Sequence, residues 1–260
     1  GVAWGGCLAS YARTDRRLLA CKPDCLSFEA ATTLLSSWGT THIGFRRLGL
    51  RLKQRAMLHA AAGGVGQSAV EYAHWLRASV AVSAGRPFKH RLLRGMAVAC
   101  CASSRDASAC AVGTAVPLQG LRQHASLNFL SHDFIGLSAA MLCEQGVFEE
   151  IGQRGVWSTE RAASCMVARY DVLDMATDAA ADPLWYQREV LCELVARATA
   201  GTARGLPTRQ FDLVREAQAA FRLLQSGRNL GKVVMCVGMR HSGATFEVDF
   251  EAVSAQLSEH

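Results

Sequence analysis

The stretch that most constrains this chain is a glycine turn held between a short apolar run and an amphipathic one. RAMLHAAA (55–62) reads as a buried strand and GGVGQ (63–67) turns the chain; Val65, Ala69, Tyr72, Ala73 and Leu76 then recur at helical spacing. Few architectures accept that order, because a helix leaving a parallel strand packs back over the sheet the strand belongs to. The next elements extend the alternation. Residues 80–83 predict a second strand, and Pro87 opens a helix through Leu92 and Leu93, since proline is tolerated in a first helical turn. Further on, ASLNFL (125–130) predicts a strand, 133–143 a helix, and VFEEI (147–151) a strand ending at Gly152. The expected fold is α/β, a Rossmann-type doubly wound parallel sheet. After Tyr170 the pattern changes to an amphipathic helix at 186–200, a helix in FDLVREAQAAFRLL with Asp212 as N-cap, and a β-rich run at 231–237. Residues 242–260 read only as a polar tail.

Half of the 260 residues are hydrophobic and 19% are charged, which excludes a disordered or fibrous chain. The formal charge of +6 is scattered, with no run of five or six like charges, and suits an anionic cofactor better than a nucleic-acid track. Neither a nucleic-acid nor a membrane partner is expected, because no window approaches the roughly 18 apolar residues of a spanning helix. Ten cysteines in a chain of this length do not imply a disulfide framework. Cys21 and Cys25, and the group Cys100, Cys101 and Cys110, lack the second CxxC pair or HxxxH partner of a tetrahedral set, so no metal is expected. GVAWGGCLAS lacks the basic and apolar regions of a signal peptide, so a cytoplasmic protein with reduced thiols is expected. The chain begins at Gly1 and not Met, which suggests a fragment.

The small residues Ala60, Gly63 and Gly66 are spaced three apart in the turn. Glycine there lets the backbone approach a pyrophosphate, and the N–H groups and dipole of the following helix attract its oxygens. A tight turn with close helix packing and no ligand is the alternative. An NAD site usually places a carboxylate at the end of the second strand to bind the ribose hydroxyls. Here the segment reads VAVSAGRPFKHR, with Ser83, Arg86, Lys89 and Arg91 and no acid, which favours NADPH because the basic groups attract a 2′-phosphate. For any one of these residues a solvated basic turn remains open.

Taken in order, CLASYARTDRRLLACKPDCLSFEAAT (7–32), HAAAGGVGQSAV (59–70), FKHRLLRG (88–95), SSRD (103–106), LNFLSHDFI (127–135), GVFEEIGQR (146–154) and AFRLLQSGRNLGKVVM (220–235) resemble one family. It is the enoyl reductase domain of modular polyketide synthases and animal-type fatty acid synthases, a zinc-independent branch of the medium-chain dehydrogenase/reductase superfamily related to quinone oxidoreductases. The resemblance implies NADPH-dependent reduction of the α,β double bond of an enoyl thioester on an acyl carrier protein. Hydride goes to the β carbon and the resulting enolate is protonated at the α carbon. It implies Lys89 and Asp106 of the SRD motif as catalytic proton donors. An exposed helix lysine and an N-cap aspartate are equally open readings of that pair. The cofactor residues it implies are Ala60, Gly63, Gly64, Val65, Gly66, Ser83, Arg86, Lys89, Asn128 and Gly152. The implied domains are 1–44, the end of a GroES-like substrate domain whose earlier part is missing; 45–170, the cofactor domain; 171–241, the C-terminal helices and closing strand; and 242–260, the tail. Neighbouring synthase domains are the implied partners, with a homodimer possible.

The sequence departs from that pattern at several positions. WGTTH (38–42) stands where relatives have LTAYY, leaving Gly39 at the threonine position; LNFL places Phe129 where a small residue is usual; His124 replaces the aspartate of GVDVVLN; and Gln153 replaces the lysine after EIG. Residues 107–124 barely match. A free-standing quinone oxidoreductase-like enzyme reducing a small enone, and a degenerate non-catalytic scaffold, are the alternative readings. His59 and His74 are expected to be packing and helix residues.

Overall fold

The computed structural model describes residues 1–237 apart from 4, 10, 132, 153, 166 and 167. The tail expected at 242–260, and Gln153, lie outside the described residues. A six-stranded sheet is built from β1 (Arg55–Leu58), β2 (Ser79–Ala84), β3 (Cys100–Ser103), β4 (Gln123–Asn128), β5 (Leu142–Glu150) and β6 (Arg169–Val172). Its order is β3-β2-β1-β4-β5-β6 with every pairing parallel, so the expected doubly wound sheet is observed. The chain reverses its winding between β1 and β4, and in such sheets the crevice beyond the strand ends at that point receives the ligand.

Helices cover both faces, which is why the strands read as nearly continuous apolar runs. On one face Ala56, Leu58, Val80, Val82 and Leu127 pack against Ala69, Val70 and Ala73 of α2 (Gly64–Trp75) and Leu93 of α3 (Pro87–Gly95). On the other, Met57, Ala81 and Ala102 meet Cys110 of α4 (Ala107–Ala115) and Phe134 of α5 (Asp133–Met141). All ten cysteines are free.

Three local expectations change. The first strand ends at Leu58 because Ala60 takes a left-handed φ of 47°, after which Gly63 N–H closes the turn on Ala60 O at 3.0 Å. The helix at 133–143 stops at Met141 and β5 starts at once, because Arg122 Nη1 donates to the carbonyls of Ala140 and Leu142 and holds the junction. The four-residue β3, made of Cys, Ala and Ser, had no strand signal.

A long first helix, α1 (Phe28–Leu48), starts where Ser27 accepts the Ala30 N–H and ends at Gly49 in a left-handed cap. It runs through the boundary expected between 44 and 45. It packs on the cofactor half, with Thr41 Oγ1 donating to Val65 O and His42 Nδ1 bonded to Tyr72 OH.

α6 (Thr159–Cys165) precedes β6, and past β6 the chain forms α7 (Met175–Ala181) and a continuous helix of α8 (Pro183–Tyr186), a π turn (Gln187–Cys192) and α9 (Glu193–Thr199). Finally β7 (Thr208–Asp212) leads into α10 (Leu213–Ser226), where Asp212 accepts the N–H groups of Val214 and Arg215 as expected, and β8 (Lys232–Cys236) pairs parallel with β7. Gly231 joins β8 to the glycine turn: its N–H donates to Ala62 O and it bridges Gly63. Its φ of +61°, with Pro207 O at 2.1 Å from where a Cβ would stand, requires glycine.

Candidate functional site: a nucleotide crevice at the strand ends

The turn divides three tasks among its small residues. Ala60 supplies the left-handed bend. A Cβ on Gly66 would stand 2.4 Å from Ala61 Cα, so only glycine lets α2 lie this close to the strand. A Cβ on Gly63 would meet nothing closer than Ala60 O at 3.5 Å; its missing side chain leaves open space for a ligand. Gly63 is also the N-cap of α2 and caps with no side chain, so the first-turn N–H groups are available to an anion.

Two polar groups converge on that helix end. Ser37 is fully buried, its Oγ has no hydrogen-bond partner, and it lies 2.8 Å from where a Cβ on Gly64 would be. Lys232 lays its aliphatic stem over Gly64 and donates from Nζ to Ser36 Oγ at 2.9 Å, and burial lowers its pKa. Sequence reasoning missed both residues. The pairing of Gly231 with the turn, 168 positions from Gly63, brings Lys232 here.

At the ends of β2 and β3 a second feature forms. The Lys89 pKa is lowered first by burial and then by the Arg86 and Arg105 charges beside it. Arg105 Nε stands 3.0 Å from a Cβ built on Gly85, and Arg86 Nη2 donates to Ser226 O while its buried Nε is unpaired. Among the described residues no carboxylate lies within ion-pair distance of these three cations. Arg105 was inside the SSRD motif but unassigned. Arg91 is exposed on α3.

Two expected site residues make other contacts in the fold. Asp106 does not pair with Lys89; it is the N-cap of α4, accepting the Ala109 N–H at 2.9 Å. Asp106→Ala should therefore cost about 1 kcal/mol of stability, whereas Asp106→Asn, which still caps, should cost little, as read by thermal melting. Ser83, expected at the cofactor phosphate, is fully buried and bonds instead to His59 Nδ1 and the Ala60 N–H. His59 also reaches Ser138 Oγ at 2.6 Å, and burial pushes its pKa down to about 3, so it ties β1, β2 and α5 together as a neutral packing residue. His74 is a half-buried residue of α2.

The ends of β4 and β5 are tied by Glu150, which the sequence did not single out. One oxygen accepts from Asn128 Nδ2 at 2.7 Å and the other from the Gly152 N–H at 2.6 Å. Asn128 is fully buried and also closes the turn onto the backbone of Leu130 through both ends of its amide. Asn128 and Gly152 therefore shape the rim of the crevice, and both Nδ2 hydrogens of Asn128 are used within the fold. Burial pushes Glu150 up to about 7, against the hydrogen bonds to Asn128 and the backbone that lower it.

Comparison with known proteins then places the chain. The family described as zinc-binding dehydrogenase matches residues 115–235. Erythronolide synthase EryA2 of Saccharopolyspora erythraea is 36% identical over 237 residues, 88% of this chain and 6% of the synthase. The spectinabilin polyketide synthase system protein NorB of Streptomyces orinoci is 35% identical over 236 residues, 88% of this chain and 10% of that protein. The solved CurK enoyl reductase superposes with a TM-score of 0.78 at 30% identity, covering 85% of this chain and 66% of that one. Over most of its length the chain is similar to polyketide synthases and to a solved enoyl reductase. The chain spans a small fraction of the synthases it matches. Mycobacterial Rv1454c, solved with NADPH, shares the fold with a TM-score of 0.71 at 19% identity. The residues present fit a nicotinamide dinucleotide, with the open α2 end and buried Ser37 for its pyrophosphate. They do not fit the zinc of the matched family's description: among the described residues no group of three or more His, Cys, Asp or Glu is arranged to hold a metal. Among them, too, no helix is long and apolar enough to cross a membrane.

Proposed function

We propose that this reductase uses NADPH to reduce the α,β double bond of an enoyl thioester during polyketide assembly, the substrate arriving on an acyl carrier protein within a larger synthase. The observation that carries the cofactor choice is the trio Arg86, Lys89 and Arg105, with no carboxylate beside them, one strand away from an open helix N-terminus. The trio binds the 2′-phosphate that distinguishes NADPH from NADH. The first turn of α2, with Ser37 and Lys232, binds the pyrophosphate that both cofactors share. When bound, the nicotinamide supplies the hydride. Glu150 holds the two strand ends that frame it, and Lys89 acts as a phosphate anchor, the role its cationic neighbours favour. The relatives' synthase context supports neighbouring domains as partners over a free-standing enzyme.

The test uses the domain expressed with its natural upstream residues, following NADPH consumption with crotonyl thioester and cofactor affinity by titration. Arg86→Ala and Lys89→Ala should each weaken NADPH by roughly ten- to a hundredfold, the range for a hydrogen bond to a charged group, and leave NADH unchanged. Lys232→Met should weaken both cofactors alike. Equal wild-type affinity for NADH and NADPH would remove the phosphate assignment. Failure to bind either cofactor would favour a non-catalytic scaffold.

A further inference from the structure

The nucleotide crevice uses the C-terminal ends of the strands, yet the opposite edge of the sheet carries a cleft of its own. It consists of two hollows, of about 690 Å³ and 590 Å³, that share Arg122, Cys143 and Glu144 as a common wall. A break in strand register makes this wall. β4 and β5 pair at Gln123 and Leu142 and next at Ala125 and Val147, so His124 alone stands opposite four residues of β5. Such bulges re-aim side chains at the edge of a sheet. His124 is also a departure from the family pattern that the nucleotide site does not use.

The larger hollow is basic. Arg51, Arg122 and His124 line it with Gln54, and Glu144 is its carboxylate. Neither arginine makes an ion pair among the described residues. The Arg122 guanidinium is held in place by Nη1 on Ala140 O at 2.6 Å and Leu142 O at 3.1 Å. His124 Nδ1 accepts the Arg55 N–H at 3.1 Å, which in the neutral ring leaves Nε2 as a donor. The smaller hollow is apolar, walled by Gly136, Ala139, Ala140, Leu142 and Trp157. The Trp157 ring is flat and pre-set: Arg161 lies over it at 4.3 Å, and a Cβ on Gly136 would sit 3.8 Å from its edge.

We infer that this cleft is a second binding site, for a small amphiphilic anion whose acidic group (carboxylate, sulfonate or phosphate) meets Arg51, Arg122 and His124 and whose apolar body lies against Trp157. Two unpaired guanidiniums supply the charge recognition and the adjoining apolar hollow the area that hydration would otherwise oppose. The site is independent of the cofactor reading, because no residue of the nucleotide crevice lines it.

The probe is 8-anilinonaphthalene-1-sulfonate, an aromatic sulfonate whose fluorescence rises in an apolar site, titrated into the domain with saturating NADPH. Saturable binding at one site is expected. Arg51→Glu, at an exposed position whose side chain makes no ion pair among the described residues, should raise its Kd at least tenfold, as should Trp157→Leu. Arg215→Glu, the same charge change on distant α10, should not. Thermal melts establish that each variant is folded. Kd unchanged in Arg51→Glu, an equal effect of Arg215→Glu, or loss of the signal on adding NADPH would each overturn the assignment.

Discussion

Gly66→Ala is expected to destabilise the domain by about 3 kcal/mol or more and to abolish cofactor binding. The added Cβ would stand 2.4 Å from Ala61 Cα and 2.7 Å from Ala61 C, both backbone atoms of a turn that cannot yield without moving β1 or α2. Ala61 is itself fully buried, and its N–H is bonded to Ser83 O at 2.9 Å. For a domain of this size such a loss lowers the melting temperature by roughly 10 °C. The informative comparison is Gly63→Ala, whose Cβ would meet only Ala60 O at 3.5 Å. That variant should melt close to wild type and still lose most of its cofactor affinity, because the new methyl projects into the space kept open at the helix end. Calorimetry and cofactor titration on both variants separate the packing glycine from the binding one. A Gly63→Ala protein that binds normally would remove the pyrophosphate assignment.

The second large effect is a stability that depends on pH through Glu149. Its carboxyl is fully buried, and its contact with Arg47 is 3.6 Å long, Arg47 being bonded more closely to Asp178. Burial pushes the Glu149 pKa up to about 7, more than the Arg47 charge lowers it. In the unfolded chain a glutamate titrates near 4.3. The folded state therefore holds its proton more tightly. The stability this contributes is fully present below about pH 4.3 and is lost as the pH rises through 7. Above pH 8 the penalty approaches about 3 kcal/mol, the size set by a shift of that order. Glu149→Gln keeps the shape and removes the charge, so it should raise the melting temperature at pH 8 and change it little near pH 4.5. A melting temperature that falls at pH 8 and is unchanged near pH 4.5 would show that the carboxylate is stabilising.

Much of the cofactor half was legible because its signals are local. Strand, glycine turn and helix follow one another within 21 residues, and the apolar stripe of α2 needs no tertiary information. The absence of an acid after β2 was equally readable. β3 was not, since Cys, Ala and Ser lack the branched side chains that mark strands and pairing with β2 alone makes them one. α1 was not legible because its buried face mixes Ser, Thr, Gly and His with Leu and Trp and gives no clean period.

The site's composition needed the fold. Ser83 and Asn128 have the residue types of ligands, and the sequence had no way to show that their polar groups are spent on His59, Glu150 and the backbone. Asp106 can be an acid or a cap with the same neighbours in sequence, and only the position of the Ala109 N–H shows that it caps. Ser37 and Lys232 reach the helix end from elements 28 positions before and 167 after Val65. The sequence alone determined the winding of the sheet and the place where the chain can approach a phosphate, because backbone sterics and hydrophobic period act between near neighbours. Which polar groups face that place was decided only by tertiary structure, because a buried donor or acceptor takes whichever partner the packing brings within 3 Å.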